Sequence, residues 1–144
     1  MISSELGGRM VSLHDLPVSR MDKRTWINGY DLWQMLADAS HNAEVWIESV
    51  HGMPQWGVAS SFQFGCGFGS ILSIVQVWRM PLQFVRSAQW KKDLQLAGKD
   101  KGAALDKARL LFPTAELHLK KHDGRAEALL IAHWAYLKYH RKTE

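Results

Sequence analysis

Apolar and polar residues fall into blocks along this chain, and the spacing within the blocks changes from strand-like to helix-like and back. Met10 to Leu16, MVSLHDL, reads as a short strand ended by Pro17. Val18 to Arg24 is polar and basic and reads as a loop. Asn28 to Ala39 carries apolar side chains at Tyr30, Leu32, Trp33, Leu36 and Ala37, a helical spacing, with Asn28 placed to cap it. Glu44 to Val50 reads as a strand, buried on both faces if its neighbours run parallel. His51 to Phe64, with Gly52, Pro54 and Gly57, reads as a loop leading into an apolar helix over Gly65 to Trp78. Gly65 and Gly69 share one face of that helix, where close packing on a sheet or on a substrate backbone would offset their low helix propensity. Met80 to Arg86 predicts another strand with Pro81 at its start. Ser87 then caps a short helix through Leu94, Lys99 to Phe112 is a basic amphipathic helix stopped by Pro113, and Asp123 to Lys138 is the last helix. Tyr139 to Glu144 reads as a frayed tail. The order strand, helix, strand, helix, strand, helices predicts an α/β fold whose sheet has a parallel portion.

Length changes the picture little: 144 residues suit one domain, read here as 1–144 with an ordered core over 8–138. A hydrophobic fraction of 47% supplies a core and argues against wholesale disorder. The longest apolar run, Phe68 to Trp78, is short of the roughly 20 residues of a membrane helix, and MISSELGGRM lacks the apolar stretch of a signal peptide, so no membrane association is expected. The single Cys66 excludes an internal disulfide and fits a cytosolic location. The net charge is +4, with basic residues gathered in the C-terminal third, which suits a polyanionic partner.

The candidate chemistry begins at Glu48, one carboxylate inside the apolar run VWIESV. Such a residue is poor core material and well placed to present a carboxylate from a rigid element. Asp123 and Glu127 lie four apart at the start of the last helix and project from one face. Taken alone they are the acids that helix N-termini favour. Joined by Glu48 they make a set of hard oxygen donors suited to Mg²⁺ or Mn²⁺. The histidines show no paired zinc spacing. Gly65-x-Gly67-x-Gly69 is neither a dinucleotide fingerprint nor a P-loop, so no nucleotide cofactor is expected.

ESVHGMPQWGVASSFQFGCGFG, from Glu48 to Gly69, resembles the strand–loop–helix segment around a metal-binding Glu in bacteriophage RuvC-like Holliday junction resolvases. The positions of Pro54, Gly57, Ser60 or Ser61, Phe62, Phe64, Gly65 and Gly69 carry the likeness. KHDGRAEALLIA resembles the last helix of that family, Trp90-Lys91-Lys92 and Gly98-Lys99-Asp100-Lys101 its basic DNA-proximal region, and HDLP its third strand. The resemblance implies an RNase H-like mixed sheet flanked by helices and a structure-selective endonuclease, usually a homodimer, that nicks branched DNA with a divalent metal in a bacterial host cell. By the same resemblance Glu48, Asp123 and Glu127 are metal ligands and His122 is a ligand or proton carrier beside them. Lys91, Lys92, Lys99, Lys101, Lys121 and Arg125 are implied phosphate contacts. The resemblance also implies that Ser60, Ser61, Phe62 and Phe64 would lie toward DNA, the aromatics serving either as wedges at the junction or as ordinary core.

One departure stands out: the family opens with a strand bearing a further metal-binding Asp, and this chain begins at SSELGG, where the third strand would be starting. Asp15 matches the family's strand end and not that catalytic position. The expectation is an N-terminally truncated fold. Two alternatives to the nuclease stay open on the residues: a junction-binding homologue impaired in cleavage, and a non-enzymatic interaction domain.

Overall fold

A computed structural model describes residues 2–6, 9–38, 43–52, 55–100 and 102–140. His41, Pro54, Lys101 and the tail after residue 140 lie outside them. In chain order the elements are β1 (Ile2–Leu6), β2 (Arg9–His14), β3 (Val18–Met21), β4 (Arg24–Ile27), α1 (Gly29–Ala37), β5 (Val45–Glu48), α2 (Val58–Val77), β6 (Leu82–Val85), α3 (Ser87–Asp93), α4 (Gly102–Leu111) and α5 (Asp123–Ala135). A 3₁₀ turn, Lys120–His122, leads into α5, and a π turn, Tyr136–His140, continues it. The α/β class holds, with small parallel and antiparallel sheets flanked by helices. The described strands are shared among three two-stranded sheets, β1–β2, β3–β4 and β5–β6.

The chain sorts into two compact units, one of Met1–Asp15 with Val85–Glu144 and one of Leu16–Phe84. In the first unit β1 and β2 pair antiparallel, Ile2 opposite His14 and Leu6 opposite Arg9, with a register shift between Ser4 and Glu5. Helix α5 packs against this hairpin, α4 and α3. Its buried face is Ala126, Leu129, Leu130, Ile131, Trp134 and Ala135, and Trp90, Leu105, Ala108 and Leu117 complete the core. The Trp134 Nε1–H donates to Asp93 Oδ2 at 2.7 Å, and Lys138 Nζ reaches the same oxygen at 3.1 Å, tying α3 to the last helix. Two cations of this unit bond to backbone carbonyls: Lys107 Nζ donates to the Leu94 carbonyl at 2.6 Å and Arg109 Nε to the Leu117 carbonyl at 2.8 Å.

In the second unit, Asn28 caps α1 as expected, its side chain accepting from the Asp31 N–H at 3.2 Å. The expected loop over Val18 to Arg24 is instead the β3–β4 hairpin, Val18 opposite Ile27 and Met21 opposite Arg24. Asp22 and Lys23 form its turn with φ of 46° and 61°, both left-handed, the mirror-image turn that matches strand twist. Asp-Lys lacks the Asn-Gly pattern that usually announces such a turn, which is why the sequence hid it. Strands β5 and β6 form the parallel pair, joined through α2, and all four residues of β5 are half-buried, so the expected burial on both faces is not met.

The largest correction concerns α2. The helix starts at Val58, not Gly65, so Ser60, Ser61, Phe62 and Phe64 stand on its first two turns and not on a loop. Gly57 precedes it in extended conformation, and the Ser61 N–H donates to the Gly57 carbonyl at 3.0 Å to close the first turn. At 20 residues, with a mean hydropathy of 1.4 over an 18-residue stretch, α2 is long and apolar enough to cross a membrane, against the expectation that no segment reaches that length. Length and composition alone say this, and core helices of soluble proteins share both properties. Gly65 and Gly69 are not packed closely either: a Cβ at either would meet nothing within 4 Å.

Candidate functional site

In the first unit a cavity of about 300 Å³ is lined by Lys91, Lys99, Asp100, Asp123 and Glu127, with Leu96 and Ala104 as its apolar lining. Three local structures create it. Helix α3 ends with Gln95 in the left-handed region at φ 59°, the Gln95 N–H bonded to the Lys92 carbonyl and the Leu96 N–H to the Lys91 carbonyl. That paired closure is a Schellman motif, and it reverses the chain so that Lys91 on the helix and Lys99 beyond it serve the same cavity. Asp100 Oδ1 then accepts from the N–H groups of Gly102 and Ala103 at 2.9 and 3.0 Å, capping the start of α4. Finally, the first two turns of α5 present Asp123 and Glu127, four residues apart on one face.

The carboxylates differ in their surroundings. Glu127 Oε1 lies 2.8 Å from Lys91 Nζ, and that ammonium also sits 5.1 Å from the Trp90 ring centroid. Asp123 Oδ1 accepts from the Gly124 N–H at 2.9 Å and is otherwise turned outward, exposed at the helix start. Asp100, which the sequence reading passed over as a site residue, joins the lining because it caps α4. Asp-x-Gly ahead of a helical run was the available signal.

The other expected site residues are distributed more widely. Glu48 ends β5 and is half-buried, in the unit of Leu16–Phe84. Phe62 is 58% exposed, and Phe64 packs edge-on against Trp56 with ring centroids 5.1 Å apart. Lys92 and Lys121 are exposed, and Lys101 lies outside the described residues. His122 does not line the cavity. It is buried, its ring meets His118 edge-on at 5.2 Å, and its Nδ1 has no hydrogen-bond partner. Burial holds its proton affinity below the ordinary value, and the positive charges of Arg125, His118 and Lys121 add to that. Arg125, expected on phosphate, is engaged within the protein: Nε donates to Asp15 Oδ1 at 2.8 Å and Nη2 to Asp15 Oδ2 at 2.7 Å.

The structure thus brings Asp123 and Glu127 to one cavity with two lysines. Among the described residues no three His, Cys, Asp or Glu side chains gather as a ready-made metal cluster. The cavity carboxylates are hard oxygen donors, and one of them, Glu127, is already paired with Lys91.

The chain matches no protein-family profile. A 50-residue segment, 33% of the chain, is 56% identical to the Holliday junction resolvase MOC1, chloroplastic, of Chlamydomonas reinhardtii. The match spans only 6% of that protein's length.

Proposed function

We propose that this chain is a junction-resolving endonuclease of the RuvC-like, RNase H-like type, which nicks branched DNA by divalent-metal-dependent hydrolysis. The observation that carries this reading is the 50-residue segment 56% identical to a Holliday junction resolvase. The cavity adds support of a different kind, because carboxylates beside lysines suit metal-assisted phosphodiester hydrolysis. Asp123 and Glu127 would hold Mg²⁺ or Mn²⁺. When bound, such ions stabilise the attacking and leaving oxygens of the scissile phosphodiester.

The chain's own part is positioning and charge. Lys91 balances the Glu127 carboxylate within the cavity, and Lys99 offers a second cation where a phosphate would enter. Lys92 and Lys121 extend the basic surface for flanking phosphates, whose neutralisation makes binding fall steeply with salt. Phe62, exposed on the first turns of α2, suits stacking at an opened junction. A homodimer would present two such sites to the two strands that resolution must cut.

The test is incubation of the chain with a synthetic four-way junction and Mg²⁺ or Mn²⁺, beside a linear duplex of the same sequence. Nicking confined to the junction and reduced by on the order of 100-fold or more in Glu127→Gln is expected, since a direct ligand matters at least as much as the outer-shell groups behind it. Junction binding without nicking would overturn the nuclease reading in favour of a binding protein. Nicking unchanged in Glu127→Gln would overturn the site.

A further inference from the structure

Arg125 stands two residues after Asp123 and two before Glu127, on the first turn of α5. Its guanidinium side chain is only 17% exposed, and its two parallel bonds to Asp15 form a planar fork. A third nitrogen, Nη1, donates to the Glu116 carbonyl at 3.4 Å and lies 3.7 Å from Glu116 Oε2. Both partners register the pairing. The hydrogen bond from Arg125 is the main reason the Asp15 carboxyl is held below the usual carboxylate range, and Asp15 in turn raises the proton affinity of Arg125. Asp15 follows β2 directly and closes the first segment of its unit, so the fork ties the end of the hairpin to the start of the helix. A bidentate fork fixes orientation as well as distance, which a single-point ammonium contact does not.

We infer that Asp15 and Arg125 are positioning residues, a clamp that sets the rotation of the first turn of α5 and thereby the aim of Asp123 and Glu127, and that Arg125 is not a DNA phosphate contact. The inference rests on the proposed nuclease reading for its consequence and on the fork geometry for its existence. A helix residue sits 100° from its neighbour around the axis, so a small rotation of this turn moves both carboxylates together. Loss of groups that orient metal-binding side chains typically lowers affinity or activity by about 10–100-fold.

The experiment compares the intact chain with Asp15→Asn, Arg125→Gln, Arg125→Lys and the reversed pair Asp15→Arg/Arg125→Asp. Mn²⁺ binding is followed by calorimetry, and junction binding is followed as a function of salt. The clamp predicts that Asp15→Asn and Arg125→Gln weaken Mn²⁺ binding alike, by about tenfold or more. It predicts no rescue by Arg125→Lys and partial recovery in the reversed pair. It also predicts that the dependence of log affinity on log salt is unchanged in all four. A phosphate contact predicts the reverse: Arg125→Gln reduces the salt slope by about 1, and Asp15→Asn does not weaken Mn²⁺ binding. That result would overturn the clamp while leaving the nuclease reading intact. If the unaltered chain binds neither Mn²⁺ nor junction DNA, the nuclease reading fails by itself. The clamp is then decided by amide hydrogen exchange. Asp15→Asn must speed exchange over 124–128 more than over α4, and equal exchange in both would overturn it.

Discussion

His122 is 6% exposed at the foot of α5, and its Nδ1 is a buried acceptor or donor that nothing satisfies. From the sequence it was a candidate ligand or proton carrier because it adjoins Asp123. The structure gives it a packing role against His118, away from the cavity lining. Burial lowers its proton affinity below the ordinary 6.5, so the folded chain takes up this proton less readily than the unfolded chain. As pH falls through about 6.5 the unfolded form gains the proton first, and stability declines until the folded pKa is passed. Above that window the neutral ring carries no such penalty. The expected outcome is a melting temperature that drops between about pH 7 and pH 5 and drops less in His122→Leu. At pH 7.5 or so the variant should melt no lower than the parent, because replacing an unsatisfied polar atom by an apolar one of similar size is close to neutral. Parallel melting series on the two chains check this, and equal pH dependence in both would refute it. Arg125 teaches the same lesson at this scale. Its charge was legible, but its partner Asp15 lies 110 residues away in sequence, and that pairing has no local signature.

Elements are where propensity meets packing. Helix α2 keeps Gly65 and Gly69 although a Cβ at either would meet open space. Among the described residues nothing packs against them, so Gly65→Ala and Gly69→Ala should each stabilise the fold by roughly 1 kcal/mol, read by denaturant or thermal unfolding. If branched DNA or a second copy approaches that face, the same substitutions weaken binding while stability rises. A second element-level prediction concerns α3. Gln95 holds the left-handed position of a Schellman motif without being glycine, and Gln95→Gly should stabilise the first unit by about 1 kcal/mol. Denaturant titration followed by Trp fluorescence, with Trp90 fully buried next to this turn, measures it. Loss of stability on Gln95→Gly would show that its side chain contributes more than its backbone strain costs. The ends of α2 and α3, at Trp78 and Leu94, fell where the sequence put them, whereas the β3–β4 turn escaped it because Asp22 and Lys23 occupy positions that glycine or asparagine usually advertise.

Across the whole chain, burial is unequal. Most of the fully buried apolar residues belong to Met1–Asp15 with Val85–Glu144, whereas in Leu16–Phe84 only Leu32 and Val75 are buried among the described hydrophobic residues. Val58, Phe62, Val77 and Phe84 of the second unit are more than half exposed. Stability should therefore be carried by the first unit, with α5 as its most protected element. Leu129→Ala, at a fully buried position of α5, is expected to cost about 2–5 kcal/mol. Native-state hydrogen exchange should show that loss across α3, α4 and α5 and leave α1 and α2 nearly unchanged. A uniform loss over both units would show that they unfold as one.

The sequence by itself determined the α/β order, the cap at Asn28, the helical placement of Asp123 and Glu127 one turn apart, and the basic character around Lys91 and Lys99. Each depends on spacing or on neighbours within a few residues, where periodicity and capping chemistry act. The tertiary structure decided that Lys91 pairs with Glu127, that Asp100 joins their cavity while capping α4, and that Arg125 turns to Asp15. It also decided that α2 begins at Val58. Those outcomes depend on which distant groups meet and which are left to water, and a charge or an apolar residue in a sequence has the same appearance either way.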